Sequence, residues 1–133
     1  MNRKLIYDLL KLALSRDGAS FDIYKSLSAS EWTWALNQLS IHGLAGFAYE
    51  AVENLPLDVR PPKDIVMKFI SANMSVVQSY AKLKSLTDKI GGLLIASQVK
   101  CLLLKGLSLS QYYPDPQLRK FVDVDLYAPG AEK

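Results

Sequence analysis

Residues 99–128 read VKCLLLKGLSLSQYYPDPQLRKFVDVDLYA, and the reading of this stretch decides the fold. VKCLLL (99–104) is a short apolar run bounded by polar residues and a glycine, the pattern of a buried strand. Lys105-Gly106 closes it. LSLSQYY (107–113) suits a short helix. PDPQ (114–117) is a turn, because both prolines fix the backbone and the Asp115 carboxylate can bond locally. FVDVDLYA (121–128) alternates and predicts a second strand. Strand, helix and strand in this order open a β-α-β unit.

Everything upstream reads as helix. Leu5, Leu9, Leu12 and Ala13 recur at helical spacing over residues 2–16, closed by Gly18. Ser28 and Glu31 stand three apart, as in a capping box, so a second helix starts near Ala29 and breaks at Gly43. LAGFAYEAVENL (44–55) makes a third, ended by Pro56. Pro61 and Pro62 suit the start of a fourth. Along that helix Ile65, Phe69, Val76, Tyr80, Leu83, Ile90 and Leu94 recur at threes and fours, with Gly91-Gly92 as a bend or weak point. The fold class is therefore α+β: a helical region over 1–97, then the first strands of a sheet over 98–133. Two strands alone are marginal in water. The expectation is the first part of a larger α/β domain, or a sheet edge that pairs with another chain as a homo-oligomer.

Composition narrows the functional classes. Half of the 133 residues are hydrophobic and 22% are charged, which describes a globular chain with a real core, not a disordered one. A net charge of +3 is too small to argue for nucleic acid or an acidic membrane surface. The N-terminal run MNRKLIYDLLKLAL is broken by Asp8 and Lys11 and lacks the small-residue cleavage site of a signal peptide. No apolar run is long enough to span a bilayer, so the expected location is the cytoplasm. The single cysteine, Cys101, excludes an internal disulfide and reads as a small buried hydrophobe. The single histidine, His42, falls at a helix end, where capping or exposure explains it, and alone it builds no zinc site. Trp32 and Trp34 are two apart and cannot share one core face. Tyr112 and Tyr113 have the chemistry to stack a base, but packing explains them as well.

The chemistry concentrates on Asp123 and Asp125. Residues two apart on a strand share a face, roughly 7 Å apart, here with Phe121; Val122, Val124 and Leu126 take the other. Paired carboxylates at low dielectric repel, and a divalent cation is the simplest compensator. A solvated polar face on an edge strand is the plain alternative. Upstream, Lys105-Gly106 follows a strand, and Ser108 stands at a helix start, where free N–H groups suit an anion. Arg119, four residues before Asp123, can fork onto phosphate. Together these make an arrangement for a metal-bound triphosphate.

These residues also resemble a known family, the uncharacterised nucleotidyltransferase-like proteins of the polymerase-beta-like nucleotidyltransferase superfamily. The resemblance rests on Leu104-Lys105-Gly106, on Tyr113-Pro114 with Arg119, and on Asp123-Val124-Asp125-Leu126. It implies a mixed sheet flanked by helices and transfer of a nucleotidyl group from a nucleoside triphosphate with two metal ions, Mg²⁺ or Mn²⁺. It makes Asp123 and Asp125 the metal ligands and seats the triphosphate at Gly106 and Ser108. The acceptor stays open. Two features depart from the superfamily pattern. Gly106 is preceded by Lys105 and followed by Leu107 in place of a second small residue, so phosphate binding passes to Lys105 or is lost. A third carboxylate on a later strand has no counterpart in Ala-Pro-Gly-Ala-Glu-Lys (128–133), so the expectation is a fragment of a longer architecture. Two alternatives stand beside this reading: a self-associating helical interaction module with a degenerate catalytic half, and a D-x-D glycosyltransferase, which the helical upstream region disfavours.

Overall fold

The computed structural model describes residues 3–15 and 21–129. Gly18, read as the stop of the first helix, lies outside them. Five helices precede the sheet: α1 (Arg3–Leu14), α2 (Asp22–Lys25), α3 (Ala29–Ile41), α4 (Ala45–Glu53) and α5 (Lys63–Ala96). Strand β1 (Leu102–Leu104), helix α6 (Gly106–Ser110) and strand β2 (Asp125–Tyr127) follow. Single 3-10 turns lie at Leu57–Val59 and Pro116–Leu118. The fold is α+β, mostly helical with one small antiparallel sheet. The chain divides into two compact units, Met1–Ser75 and Val76–Lys133, and the division falls inside α5. The change from helix to strand comes later, after Ala96. No described helix is long and apolar enough to cross a membrane.

In the first unit the sequence signals act as local chemistry predicts. The Ser28 hydroxyl accepts a bond from the Glu31 N–H at 3.3 Å, and the Glu31 carboxylate accepts one from the Ser28 N–H at 2.8 Å. This capping box satisfies two of the donors that a helix start leaves free. At the other end of α3 the His42 N–H bonds the Gln38 carbonyl, and Gly43, at φ 75°, takes the left-handed conformation that ends the helix. Leu5 and Leu9 of α1, Ala35 and Leu39 of α3, Ala48 and Ala51 of α4, and Ile65 and Phe69 of α5 form one buried cluster. Trp32 is buried at its centre, stacked on Tyr24 at 5.8 Å and edge-on to Phe69 at 6.2 Å. Trp34, two residues on, is only partly buried, as the helical geometry requires. The one-turn helix α2 and the 3-10 turns carry no periodic signal long enough to read, yet α2 is what buries Tyr24.

In the second unit α5 runs through Gly91-Gly92 to Ala96. It ends in a Schellman motif. Gln98 is left-handed at φ 57°, the Val99 N–H reaches the Leu94 carbonyl at 2.8 Å, and the Gln98 N–H reaches Ile95 at 2.9 Å.

Here the structure corrects several expectations. The strands pair antiparallel, with Leu102 opposite Tyr127, Leu103 opposite Leu126 and Leu104 opposite Asp125, so the unit is not a parallel β-α-β crossover. β1 is not buried: Leu102 is 59% and Leu104 42% exposed. The second strand begins at Asp125, not at Phe121. The last difference follows from the first strand. β1 ends at Leu104 because Lys105 turns the chain into α6, so residues 121–124 have no partner to ladder with. The expected alternation fails there as well. Phe121 is buried, edge-on to Tyr80 at 5.9 Å, while Val122 is 78% exposed. The turn at 114–117 behaves as read: the Asp115 carboxylate accepts a bond from the Gln117 N–H at 3.0 Å and caps the 3-10 turn. Cys101 is half-buried rather than buried.

Candidate functional site

The site is built around the end of β1. Lys105 follows that strand with φ 48° and ψ −136°, a left-handed conformation that a side chain with a Cβ adopts at a cost of about 1–3 kcal/mol. Its tight turn sends the chain directly into α6. Because Leu104 pairs with Asp125, the residue after Leu104 falls beside that carboxylate. The Lys105 ammonium lies 3.4 Å from an Asp125 oxygen, in an ion pair whose side chains are 75% and 37% exposed.

Gly106 is needed for space. A Cβ at this position would meet the Asp123 carbonyl oxygen and the Phe121 ring, each at 3.3 Å. The glycine turn and the segment leading to the aspartates are therefore packed backbone against backbone. Arg119 ties the same two pieces together. Its guanidinium donates to the Gly106 carbonyl at 3.0 Å and sits 5.8 Å from the centre of the Tyr113 ring. Phe121, held edge-on by Tyr80, fixes the start of the aspartate segment.

The structure thus brings Lys105, Gly106, Arg119, Asp123 and Asp125 to one corner. It uses two of the assigned residues internally. The Ser108 hydroxyl donates to the Lys105 carbonyl at 2.6 Å, and Arg119 makes the contacts just described. With five residues, α6 is also too short to offer a helix-terminus anion site. The Lys105 ammonium at this corner is 75% exposed and pairs with Asp125.

The carboxylates differ from their expected setting. Asp123 lies before the strand and is exposed; Asp125 is half-buried on β2. The pair does not share the face of one buried strand, so no desolvation forces a cation upon it. What fits a hard cation is the donor chemistry: two carboxylates close in sequence, one already holding an ammonium as a stand-in cation. Among the described residues no group of three or more His, Cys, Asp or Glu side chains gathers to hold a metal.

Sequence reasoning missed the ion pair, the strained lysine and the close approach at Gly106. The first is readable once the strand register is known, since it follows from the pairing of Leu104 with Asp125. The other two depend on contacts between distant residues.

A family model described as an uncharacterised nucleotidyltransferase matches residues 28–132. No curated protein and no solved structure matches the chain.

Proposed function

The chain belongs to the uncharacterised nucleotidyltransferase family, and on that premise we propose that its second unit holds a metal-bound nucleoside triphosphate for nucleotidyl transfer to an acceptor. The observation that carries the reading is the Lys105–Asp125 contact. It puts an ammonium and a carboxylate, chemistry suited to a phosphate and to a divalent cation, side by side. Asp123 and Asp125 would hold Mg²⁺ or Mn²⁺, which favour one or two carboxylates with substrate phosphates completing the shell. The metal, when bound, would activate the attacking oxygen and steady the leaving phosphates. Lys105 supplies a compact positive charge toward the triphosphate. Gly106 lets the turn lie flush against the aspartate segment, and Arg119 bonds the Gly106 carbonyl, so that the turn and the aspartate segment keep a fixed spacing.

The test is Mn²⁺-dependent binding of a fluorescent nucleoside triphosphate to the 133-residue chain. Binding is expected with Mn²⁺, and its loss in the double substitution Asp123→Asn with Asp125→Asn. Equal binding by both proteins would remove the carboxylates from the site.

A further inference from the structure

We propose that the groove between the second half of α5 and the 3-10 turn at Pro116–Leu118 binds an acidic peptide segment that carries an apolar side chain. The proposal needs neither a metal nor a triphosphate and stands apart from the nucleotidyl-transfer reading. Three observations carry it. The first is the groove itself, an open recess of about 790 Å³, within the size range of ligand-binding clefts. All of its lining belongs to the second unit, Val76–Lys133.

The second is what lines it. Tyr80 and Pro116 present two ring surfaces. Tyr80 is half-buried and held edge-on against Phe121 at 5.9 Å, so it makes a fixed wall. Gln117 adds an exposed side-chain amide that makes no hydrogen bond among the described residues; only its backbone N–H is bonded, to Asp115. A side-chain amide both donates and accepts, which is what a peptide backbone requires of a partner.

The third is charge. The first unit carries eight basic and eight acidic residues, and the second carries eight basic and five acidic, so the whole net charge of +3 lies on the second. Inside the groove Lys84 and Asp88 pair at 2.8 Å and cancel. Lys89 makes no ion pair among the described residues, which leaves the groove with one uncompensated positive charge. A carboxylate of the occupant meets that charge, an apolar side chain meets the two rings, and the Gln117 amide meets the backbone between them.

The experiment is a titration of the full ¹⁵N-labelled chain with three peptides, followed through its amide chemical shifts. Each peptide holds Leu-Phe between flanking pairs of one residue: glutamate, glutamine or lysine. The glutamate peptide is expected to shift amides over residues 80–89 and at Gln117, the glutamine peptide to bind more weakly, and the lysine peptide to leave them in place. Lys89→Glu should weaken the glutamate peptide about five- to tenfold, since it removes an exposed attraction and adds a repulsion of similar size, and should let the lysine peptide bind. Lys100→Glu makes the same change of charge beyond the end of α5, outside the groove. Its effect should stay under about twofold at about 0.15 M salt, where charges act over about 8 Å. Ser85→Trp, at an exposed lining position, fills the groove and should abolish binding of the glutamate peptide. The proposal is overturned if no peptide binds, if the shifts fall outside the groove, or if the lysine peptide binds the wild type as well as the glutamate one. Equal weakening by Lys89→Glu and Lys100→Glu overturns it too, because net charge alone then explains the binding. So does a single-stranded oligonucleotide that shifts the same amides at lower concentration, which would assign the groove to nucleic acid.

Discussion

Substituting alanine at Gly106 tests whether the turn and the aspartate segment are packed as closely as the structure has them. Two opposing effects set the outcome. Alanine restricts the unfolded chain and favours helix over glycine, a gain of about 0.5–1 kcal/mol. Against this, the added methyl would meet a backbone carbonyl and a buried ring at 3.3 Å each. Neither neighbour yields easily. The carbonyl belongs to Asp123, whose segment Arg119 ties to the same glycine, and the Phe121 ring is pinned edge-on by Tyr80. Overpacking of this kind costs about 1–3 kcal/mol, so Gly106→Ala should destabilise the second unit by about 1 kcal/mol. Gly92→Ala is the control. A Cβ there meets nothing within 4 Å inside a continuous helix, so only the gain remains. Tryptophan fluorescence cannot report this, because Trp32 and Trp34 both lie in the first unit. Amide hydrogen exchange over residues 100–127 can. Faster exchange is expected in Gly106→Ala and slower exchange along α5 in Gly92→Ala. Protection over 100–127 that rises in Gly106→Ala would refute the close approach, and with it the fixed spacing argued for the site.

Four further outcomes are expected in the first unit. Trp32→Ala, which removes a side chain packed on Tyr24 and Phe69, should cost about 3–5 kcal/mol, seen as a lost or strongly lowered thermal transition, whereas Trp34→Ala costs less. Ser28→Ala should lower stability by about 1 kcal/mol in urea denaturation through loss of the helix cap. The Ser28 hydroxyl and N–H also hold the Glu31 carboxyl below its ordinary value of 4.5, so its contribution is present above that pH and fades as acid protonates it; urea midpoints measured downward from pH 5 should fall more steeply in the wild type than in Ser28→Ala. Burial, aided by the nearby Asp8 carboxylate, pushes the Tyr24 hydroxyl up to about 12; the stability this represents is complete below pH 10 and lost between 10 and 12, so absorbance titration should show one tyrosine ionising last, together with unfolding.

The helices were legible because their signals are local. Ser28 and Glu31 are three residues apart, and their bonds form wherever the rest of the chain goes. Gly43 and the spacing of Leu5, Leu9 and Leu12 likewise needed no distant partner. The sheet was legible only as two apolar runs. FVDVDLYA alternates about its two aspartates, but a strand needs a ladder, and β1 supplies one for only three residues. Its length was set elsewhere, by the turn at Lys105. Val122 then faces solvent and Phe121 is buried because an aromatic contact with Tyr80, forty-one positions away, outweighs the local alternation.

The site shows the same division between chemistry and scaffold. Residue type alone suggested that Arg119 and Ser108 would meet a phosphate, since both can donate. The structure gives each an acceptor inside the chain, on the carbonyls of Gly106 and Lys105 respectively. Those two carbonyls belong to consecutive residues, so the donors brace one turn from opposite sides. One comes from within α6 and the other from Arg119, two residues before Phe121. A short two-stranded sheet has little stability of its own, and a strained lysine at its edge adds to the cost. The bracing therefore answers a need that the sheet cannot meet, and it leaves Lys105 as the positive side chain directed at Asp125.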